Sequence, residues 1–295
     1  MPSCSLFIPL AVNNLTSSSC TDFAISTSVS LISIICHVRI QGNIFLSIYC
    51  VNLSIIKIHE CNHLTKPLIQ GHRGASAVEP ENTIRAFIRA FDDGADGIEF
   101  DIRLTADKKI VVIHDKTINR TSNGKGLVKD YTFDELLKFD FGLGERIPLL
   151  AEVLTNFGNN YWLNIEVKEL GFEQQLVNLL KILNVKEKIV ISSFKEKALI
   201  DIKKLDRSLC TAFIYNMKNP NLEHLKSSMG IDSIHPKMNL VTKRLVKKAD
   251  ELNLPIRTWT VDQPKDAIKL AKLGIDTIIT NNPKVIAQAL DRKNE

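Results

Sequence analysis

The chain has 295 residues, which is enough for one α/β domain of barrel size together with an extension. Its net charge of +5 is small for 38 basic and 33 acidic residues, and the lysines lie mainly on predicted helices, where we expect them to face solvent. The sequence has no basic stripe with interleaved aromatic residues, so we exclude a nucleic-acid partner.

Residues 1–66 form an atypical N-terminal extension. Between Met1 and Ile56 only Asp22 and Arg39 are charged, and five of the six cysteines fall in this segment. Its apolar runs, residues 23–36 and 44–58, are shorter than the roughly 20 residues that span a bilayer. The cysteine spacing contains no C-x₂-C pair, which argues against a zinc site.

Two interpretations of this extension stay open. It is either an extension that is poorly ordered or makes peripheral membrane contact, or the product of a mis-called start with the true start near residue 66. The segment shows no helical period, turn signal or motif, which favours the second interpretation. The remaining chain, 67–295, contains a single cysteine, Cys210, which fits a reducing cytoplasm.

From residue 67 onward, predicted strands alternate with predicted helices. We predict strands at 67–71, 97–104, 161–168, 189–194, 210–215, 233–235, 255–261 and 277–280, with a short extension or hairpin at 109–114. We predict helices at 84–91, 133–139, 147–157, 172–183, 197–205, 222–228, 242–252, 264–273 and 283–290. A doubly wound open sheet has the same alternation, but eight strands with polar residues inside several of them favour a closed TIM (β/α)₈ barrel.

Two of the strands carry acidic residues on one face. Glu99 and Asp101 are one residue apart in G-I-E-F-D-I-R, so both carboxylates point to the same side of the strand. Glu166 and Lys168 repeat this spacing in the strand at 161–168. Carboxylates grouped on a buried face repel each other unless a cation joins them, and Mg²⁺ or Ca²⁺ prefers such oxygens. Glu166 is a candidate third ligand, and Lys168 is a candidate phosphate contact.

Two histidines end apolar runs. His72 follows the strand at 67–71, and His114 follows Ile113. The carboxyl ends of barrel strands are where active-site groups lie, so both are candidates for catalysis. Trp259 has two interpretations, core packing or a wall for the glycerol or alcohol part of a substrate. Ser192 and Ser193 lack a G-x-S-x-G elbow, so we do not predict a serine nucleophile.

The ordered set of motifs across residues 67–290 resembles the glycerophosphodiester phosphodiesterase family. The motifs are H-R-G at 72–74, P-E-N-T at 80–83, G-x-E-x-D at 97–101, H-D at 114–115, I-P at 147–148, N-x-E-x-K at 164–168, S-S-F at 192–194, W-T-V at 259–261 and G-x-D-x-I-I-T at 274–280. H-R-G alone is weakly specific, whereas the ordered set is highly specific.

The resemblance implies a fold, a metal site and a reaction. The fold is a TIM barrel, and the metal is one divalent cation, Mg²⁺ or Ca²⁺, held by Glu99, Asp101 and Glu166. The reaction is hydrolysis of a small-molecule glycerophosphodiester to glycerol 3-phosphate and an alcohol. The resemblance also implies acid–base roles for the two histidines.

Phosphate contacts are implied at Arg73 and Lys168. Two positions depart from the family pattern. Where the family often has Asn after W-T-V, this chain has Asp262, and where it often has T-D-x-P, this chain has Asn281 after Thr280. These departures concern the rim of the pocket, and so the choice of substrate, more than the reaction.

Two rival functions stay open. A lysophospholipase D-type enzyme acts on lipid phosphodiesters at a membrane, and an apolar N-terminal segment would suit it. A catalytically silent barrel that binds phosphodiesters has no need for two histidines and three carboxylates together. The sequence does not predict the oligomeric state.

Overall fold

The structure is a computed structural model that describes residues 32–40, 43–51 and 66–291. The chain divides into two compact units, Met1–Asn62 and His63–Glu295. In the first unit, strands β1 (Ile32–Ile40) and β2 (Asn43–Val51) pair antiparallel, with Ile32 opposite Val51. We predicted no strands here. The rest of the predicted extension lies outside the described residues, so its order and its place in the mature protein stay predictions.

The second unit is built on eight parallel strands. They are β3 (Leu68–His72), β4 (Gly97–Leu104), β6 (Trp162–Val167), β7 (Ile189–Ser193), β8 (Cys210–Tyr215), β9 (Ser233–Pro236), β10 (Arg257–Thr258) and β11 (Thr277–Thr280), while the short strand β5 (Ile110–Val112) pairs antiparallel with β4. Their order is β10-β11-β3-β4-β6-β7-β8-β9. Single bridges from Ile234 to Ile256 and from Lys237 to Trp259 join the two ends. The predicted TIM barrel is confirmed as a nearly closed one.

Helices surround these strands. They are α1 (Ile84–Asp92), α2 (Phe133–Leu136), α3 (Leu150–Phe157), α4 (Glu173–Ile182), α5 (Glu196–Leu205), α6 (Leu222–Met229), α7 (Lys243–Glu251), α8 (Pro264–Lys272) and α9 (Pro283–Ala289). Thr83 caps α1, and Thr132 with Glu135 forms a capping box at the start of α2. Among the residues described, we find no helix with the length and apolar character needed to cross a membrane.

Successive side chains of β4 point alternately to the hydrophobic core and to the barrel interior. Ile98, Phe100 and Ile102 are fully buried in the hydrophobic core between the sheet and the helices. The ring of Phe100 lies 5.6 Å from that of Phe87 on α1, measured between centroids. Because successive strand residues point to opposite faces, Glu99 and Asp101 point into the barrel.

Three predicted elements differ from the structure. The helix predicted from residue 147 begins at Leu150, because the preceding residues extend alongside β5, where the Val112 N–H donates to the Pro148 carbonyl at 2.9 Å. The helical spacing of Ile84, Phe87, Ile88 and Phe91 predicts that they share one buried face of α1, but Ile88 is 49% exposed. Here the small residues Ala86 and Ala90 face the core with Phe87 instead.

The third difference is the strand predicted at 255–261. Only Arg257 and Thr258 pair as a strand, and a cis peptide bond joins Trp259 to Thr260. The Arg257 guanidinium lies over the ring of Trp162, at the first residue of β6, 5.5 Å from its centroid. Arg257 therefore lies towards the amino end of the barrel, and Trp259, two residues later, lies towards the carboxyl end.

Candidate active site

Three carboxylates from two neighbouring strands meet inside the carboxyl end of the barrel. In the register of β4 and β6, Asp101 lies beside Glu166, and Glu99 lies beside Asn164. Glu99, Asp101 and Glu166 each offer an oxygen within 4.8 Å of the other two, and all three are buried. This arrangement follows from two strands that each place polar residues at every second position. Hard oxygen donors grouped in this way suit a divalent cation.

The carboxylates do not share one electrostatic environment. Burial and the charges of Asp101 and Glu166 raise the pKa of Glu99 well above its ordinary value. Burial and the charge of Asp101 raise the pKa of Glu166 to about 7. Burial also raises the pKa of Asp101, but the charges of Lys168 and Arg73 outweigh it and leave that pKa below the ordinary value. A bound cation would relieve the repulsion that disfavours three ionised groups here.

Two cationic side chains lie against this cluster. The Arg73 Nε lies 3.3 Å from Asp101 Oδ2, and the Arg73 backbone N–H donates to Glu99 Oε2 at 3.2 Å. Lys168 Nζ lies 2.6 Å from Glu166 Oε1 and 3.4 Å from Asp101 Oδ1. Arg73 adopts a left-handed conformation with φ of 58°, which directs it into the site from the end of β3.

His72, the last residue of β3, faces Glu99. Its Nε2 lies 3.8 Å from Glu99 Oε2, and its Nδ1 lies 2.7 Å from the side-chain oxygen of Asn281. Burial and the charge of Arg73 lower the pKa of His72. A neutral imidazole beside a buried carboxylate suits proton transfer in either direction.

His114 lies in the segment after β5 and is about one-third exposed. Its Nδ1 lies 2.6 Å from Asp115 Oδ1, and its backbone carbonyl accepts from Arg103 Nε at 2.9 Å. Burial lowers its pKa, although the charge of Asp101 opposes this shift. The Ile113 N–H donates to the Asp101 carbonyl at 2.9 Å, so His114 follows directly on a residue that is hydrogen-bonded to the strand of the acidic cluster.

Trp259 lies at the mouth of the barrel and is partly exposed. Its indole N–H donates to the His235 carbonyl at 2.9 Å, and its ring meets that of Phe194 edge-on at 5.7 Å between centroids. This placement favours the interpretation as a wall of the pocket over core packing. His235 itself is buried inside the barrel, and burial lowers its pKa well below the ordinary value.

Several residues around these groups were not among the candidates predicted from the sequence. Asn82 donates from Nδ2 to Asp101 Oδ2 at 3.0 Å. Glu81 accepts from Arg73 Nη1 at 2.8 Å and from Arg120 Nη1 at 2.6 Å. Arg120 also donates to Asp115 at 2.7 Å, so it connects the partner of His114 with the partner of Arg73. The signal for Asn82 and Glu81 was the P-E-N-T motif itself, to whose members we assigned no individual roles.

The comparisons with known proteins agree with this geometry. The model of the glycerophosphoryl diester phosphodiesterase family matches residues 72–285. A glycerophosphodiester phosphodiesterase of Caldanaerobacter subterraneus subsp. tengcongensis is 39% identical over 234 residues, which is 75% of this chain and 96% of the relative.

Solved structures show the same fold. A phosphodiesterase of Oleispira antarctica, in complex with the product sn-glycerol-3-phosphate, has a TM-score of 0.71 at 24% identity, over 76% of this chain and 97% of that one. A putative glycerophosphodiester phosphodiesterase of Galdieria sulphuraria has a TM-score of 0.70 at 27% identity, with the same coverage. The chain belongs to the glycerophosphoryl diester phosphodiesterase family and is a phosphoric diester hydrolase with a TIM-barrel fold.

Proposed function

We propose that this chain hydrolyses glycerophosphodiesters to sn-glycerol 3-phosphate and an alcohol, with the help of one divalent cation and two histidines. The observation that carries the proposal is the group of three buried carboxylates within 4.8 Å, with His72 at 3.8 Å from Glu99. The relative from Caldanaerobacter is named for this activity, and the Oleispira enzyme was solved with this product.

The donor set suits Mg²⁺ or Ca²⁺ and fits no soft metal. All three candidate ligands, Glu99, Asp101 and Glu166, are carboxylates, which hard cations prefer. When bound, the cation would act as a Lewis acid on a phosphoryl oxygen and orient the nucleophile. Asn82 donates to Asp101 Oδ2, so Asp101 Oδ1 and the oxygens of the two glutamates are the cation ligands that we propose.

The remaining side chains supply charge and proton transfer. Arg73 and Lys168 would bind the phosphoryl oxygens and offset the negative charge that increases on them in the transition state. One histidine would accept a proton from the nucleophile, and the other would donate one to the oxygen of the leaving alcohol as its bond to phosphorus breaks. The net reaction adds water across that bond.

The test is hydrolysis of glycerophosphocholine by the full-length chain, followed as release of glycerol 3-phosphate. We expect activity that EDTA removes and that added Mg²⁺ or Ca²⁺ restores. Glu166→Gln should lose this activity, while the matched variant Glu152→Gln, on the exposed face of α3, should keep it. Turnover by a metal-stripped protein at the full rate would refute the role of the cation.

A specific observation favours a second candidate, a lysophospholipase D-type activity. Leu170, Phe194 and Met217 follow three neighbouring strands at the mouth and are 44%, 42% and 56% exposed. With Trp259 they would offer an apolar surface to an acyl chain. Comparison of kcat/KM for glycerophosphocholine and lysophosphatidylcholine decides between the two.

We also propose that the protein is cytoplasmic and makes peripheral membrane contact through residues 1–66.

A further inference from the structure

A chain of three side chains runs behind His72, away from the carboxylate cluster. Asp262 Oδ2 accepts from Asn281 Nδ2 at 2.7 Å, and Asn281 Oδ1 lies 2.7 Å from His72 Nδ1. Asp262 Oδ1 also accepts from the Asn281 backbone N–H at 2.8 Å and from Thr280 Oγ1 at 3.0 Å. Three donors therefore hold the Asp262 carboxylate in place.

The directions of these hydrogen bonds follow from chemistry. A carboxylate only accepts, so the side chain of Asn281 must direct its NH₂ group at Asp262 and its oxygen at His72. The oxygen of Asn281 in turn only accepts, so His72 must carry its proton on Nδ1. Ser76 Oγ, at 2.9 Å from the same oxygen, is compatible with this orientation because a hydroxyl donates to it.

We infer that Asp262 and Asn281 are positioning residues that hold His72 as the Nδ1–H tautomer, with the lone pair of Nε2 directed at the reacting centre. Nε2 is the atom that lies 3.8 Å from Glu99, on the side of the carboxylate cluster. In this tautomer Nε2 accepts a proton, so His72 begins the reaction as a base. This inference rests on the proposed catalytic role of His72, but its tautomer is measurable without turnover.

Exchange of the two residues would preserve the tautomer. An aspartate at position 281, next to His72, would accept from Nδ1–H directly, and an asparagine at position 262, behind it, would donate to that aspartate. Both orders require the proton of His72 on Nδ1.

The single variant Asp262→Asn reverses the direction of the hydrogen bonds from position 262 through Asn281 to His72, with almost no change in side-chain volume. The oxygen of the new amide would keep the bonds from Thr280 and the Asn281 N–H, so its NH₂ group would face Asn281. Asn281 must then turn its own oxygen to this NH₂ group and its NH₂ group to His72. Nδ1 becomes an acceptor, the proton moves to Nε2, and the base is lost.

The experiment combines NMR with kinetics on the full-length protein. Histidine ¹⁵N spectra near pH 8, with His72 assigned by comparison with His72→Gln, should show Nδ1–H in the wild type and Nε2–H in Asp262→Asn. The double variant with Asp262→Asn and Asn281→Asp should return to Nδ1–H. We expect kcat for glycerophosphocholine to fall roughly 10²-fold in Asp262→Asn, with KM nearly unchanged, and to recover in the double variant.

The outcomes separate the possible explanations. An Nε2–H tautomer in the wild type overturns the inference, even if the single variants do not fold. A double variant whose kcat stays as low as that of Asp262→Asn also overturns it, since a merely structural role predicts no rescue. If the wild type shows Nδ1–H but hydrolyses no phosphodiester, the proposed function is wrong and the positioning of His72 stands.

Discussion

Substitution of Glu99 by glutamine should have opposite effects on the metal-free protein and on the metal-bound protein. Without a cation, Glu99 faces Asp101 and Glu166, with an oxygen of each within 4.8 Å. Two unit charges at that distance repel by about 3.5 kcal/mol at an effective dielectric constant of about 20. Arg73 and Lys168 offset part of this, and partial protonation removes more.

We therefore expect Glu99→Gln to stabilise the metal-free protein by about 1 kcal/mol, which raises Tm by roughly 2–4 °C for a domain of this size. The amide oxygen can still accept from the Arg73 backbone N–H, so the local structure should remain. With a cation at about 100 times its Kd, the wild type should gain about 2.7 kcal/mol, and the variant should lose most of this gain.

The assay is thermal unfolding in EDTA and in added Mg²⁺ or Ca²⁺, with Glu152→Gln as the control for loss of an exposed carboxylate. The order of the two Tm values should reverse. Glu99→Gln should have the higher Tm in EDTA, and the wild type should have the higher Tm with metal. If Glu99→Gln is destabilised in EDTA and still gains the full stabilisation from the cation, the assignment of Glu99 as a ligand is refuted.

Three further predictions concern catalysis, pH and the core. His114→Ala should lower kcat roughly 10²–10⁴-fold with little change in Tm, and near-normal turnover would contradict its catalytic role. The folded-state pKa of His235 is lowered, so between that pKa and the unfolded value of about 6.5 only the unfolded chain binds the proton, and stability falls as pH falls through this window. In urea unfolding, His235→Asn should reduce the slope of the free energy of unfolding against pH in this window by at most about 1.4 kcal/mol per pH unit. An unchanged slope would contradict this. Phe100→Ala should cost about 3–5 kcal/mol in the same assay, whereas a loss below about 1 kcal/mol would show that the site behind it is not closely packed.

Local periodicity was enough to predict which polar side chains of each strand share a face. Glu99 and Asp101 differ by one strand repeat, and the same spacing at Glu166 and Lys168 placed both pairs on inward faces. What joins the pairs is the register of β4 against β6, and that is a long-range property. The family resemblance supplied the expectation that these strands are neighbours.

The partners of the histidines were harder to predict. Asn281 is 209 residues from His72, and no local pattern connects them until β11 pairs with β3. The strand predicted at 255–261 is shorter than expected because regular pairing ends at Thr258, and Trp259 keeps only a single bridge to Lys237. Asn82 was hidden for another reason, since its left-handed conformation aims its amide at Asp101 from a turn that carries no period.

The balance of charge in the site leads to one last expectation, that cation and substrate bind cooperatively. Three ionised carboxylates facing Arg73 and Lys168 leave one excess negative charge when both histidines are neutral, and partial protonation reduces this excess in the cation-free site. A divalent cation alone reverses this excess, and a singly charged phosphodiester then neutralises the site. Each ligand should therefore raise the affinity for the other by the same factor, because equilibrium coupling is reciprocal. Calorimetric titration of Mg²⁺ or Ca²⁺ into His114→Ala, with and without glycerophosphocholine, measures this factor. Equal cation affinities in the two titrations would show that the phosphate lies outside the field of the carboxylate cluster.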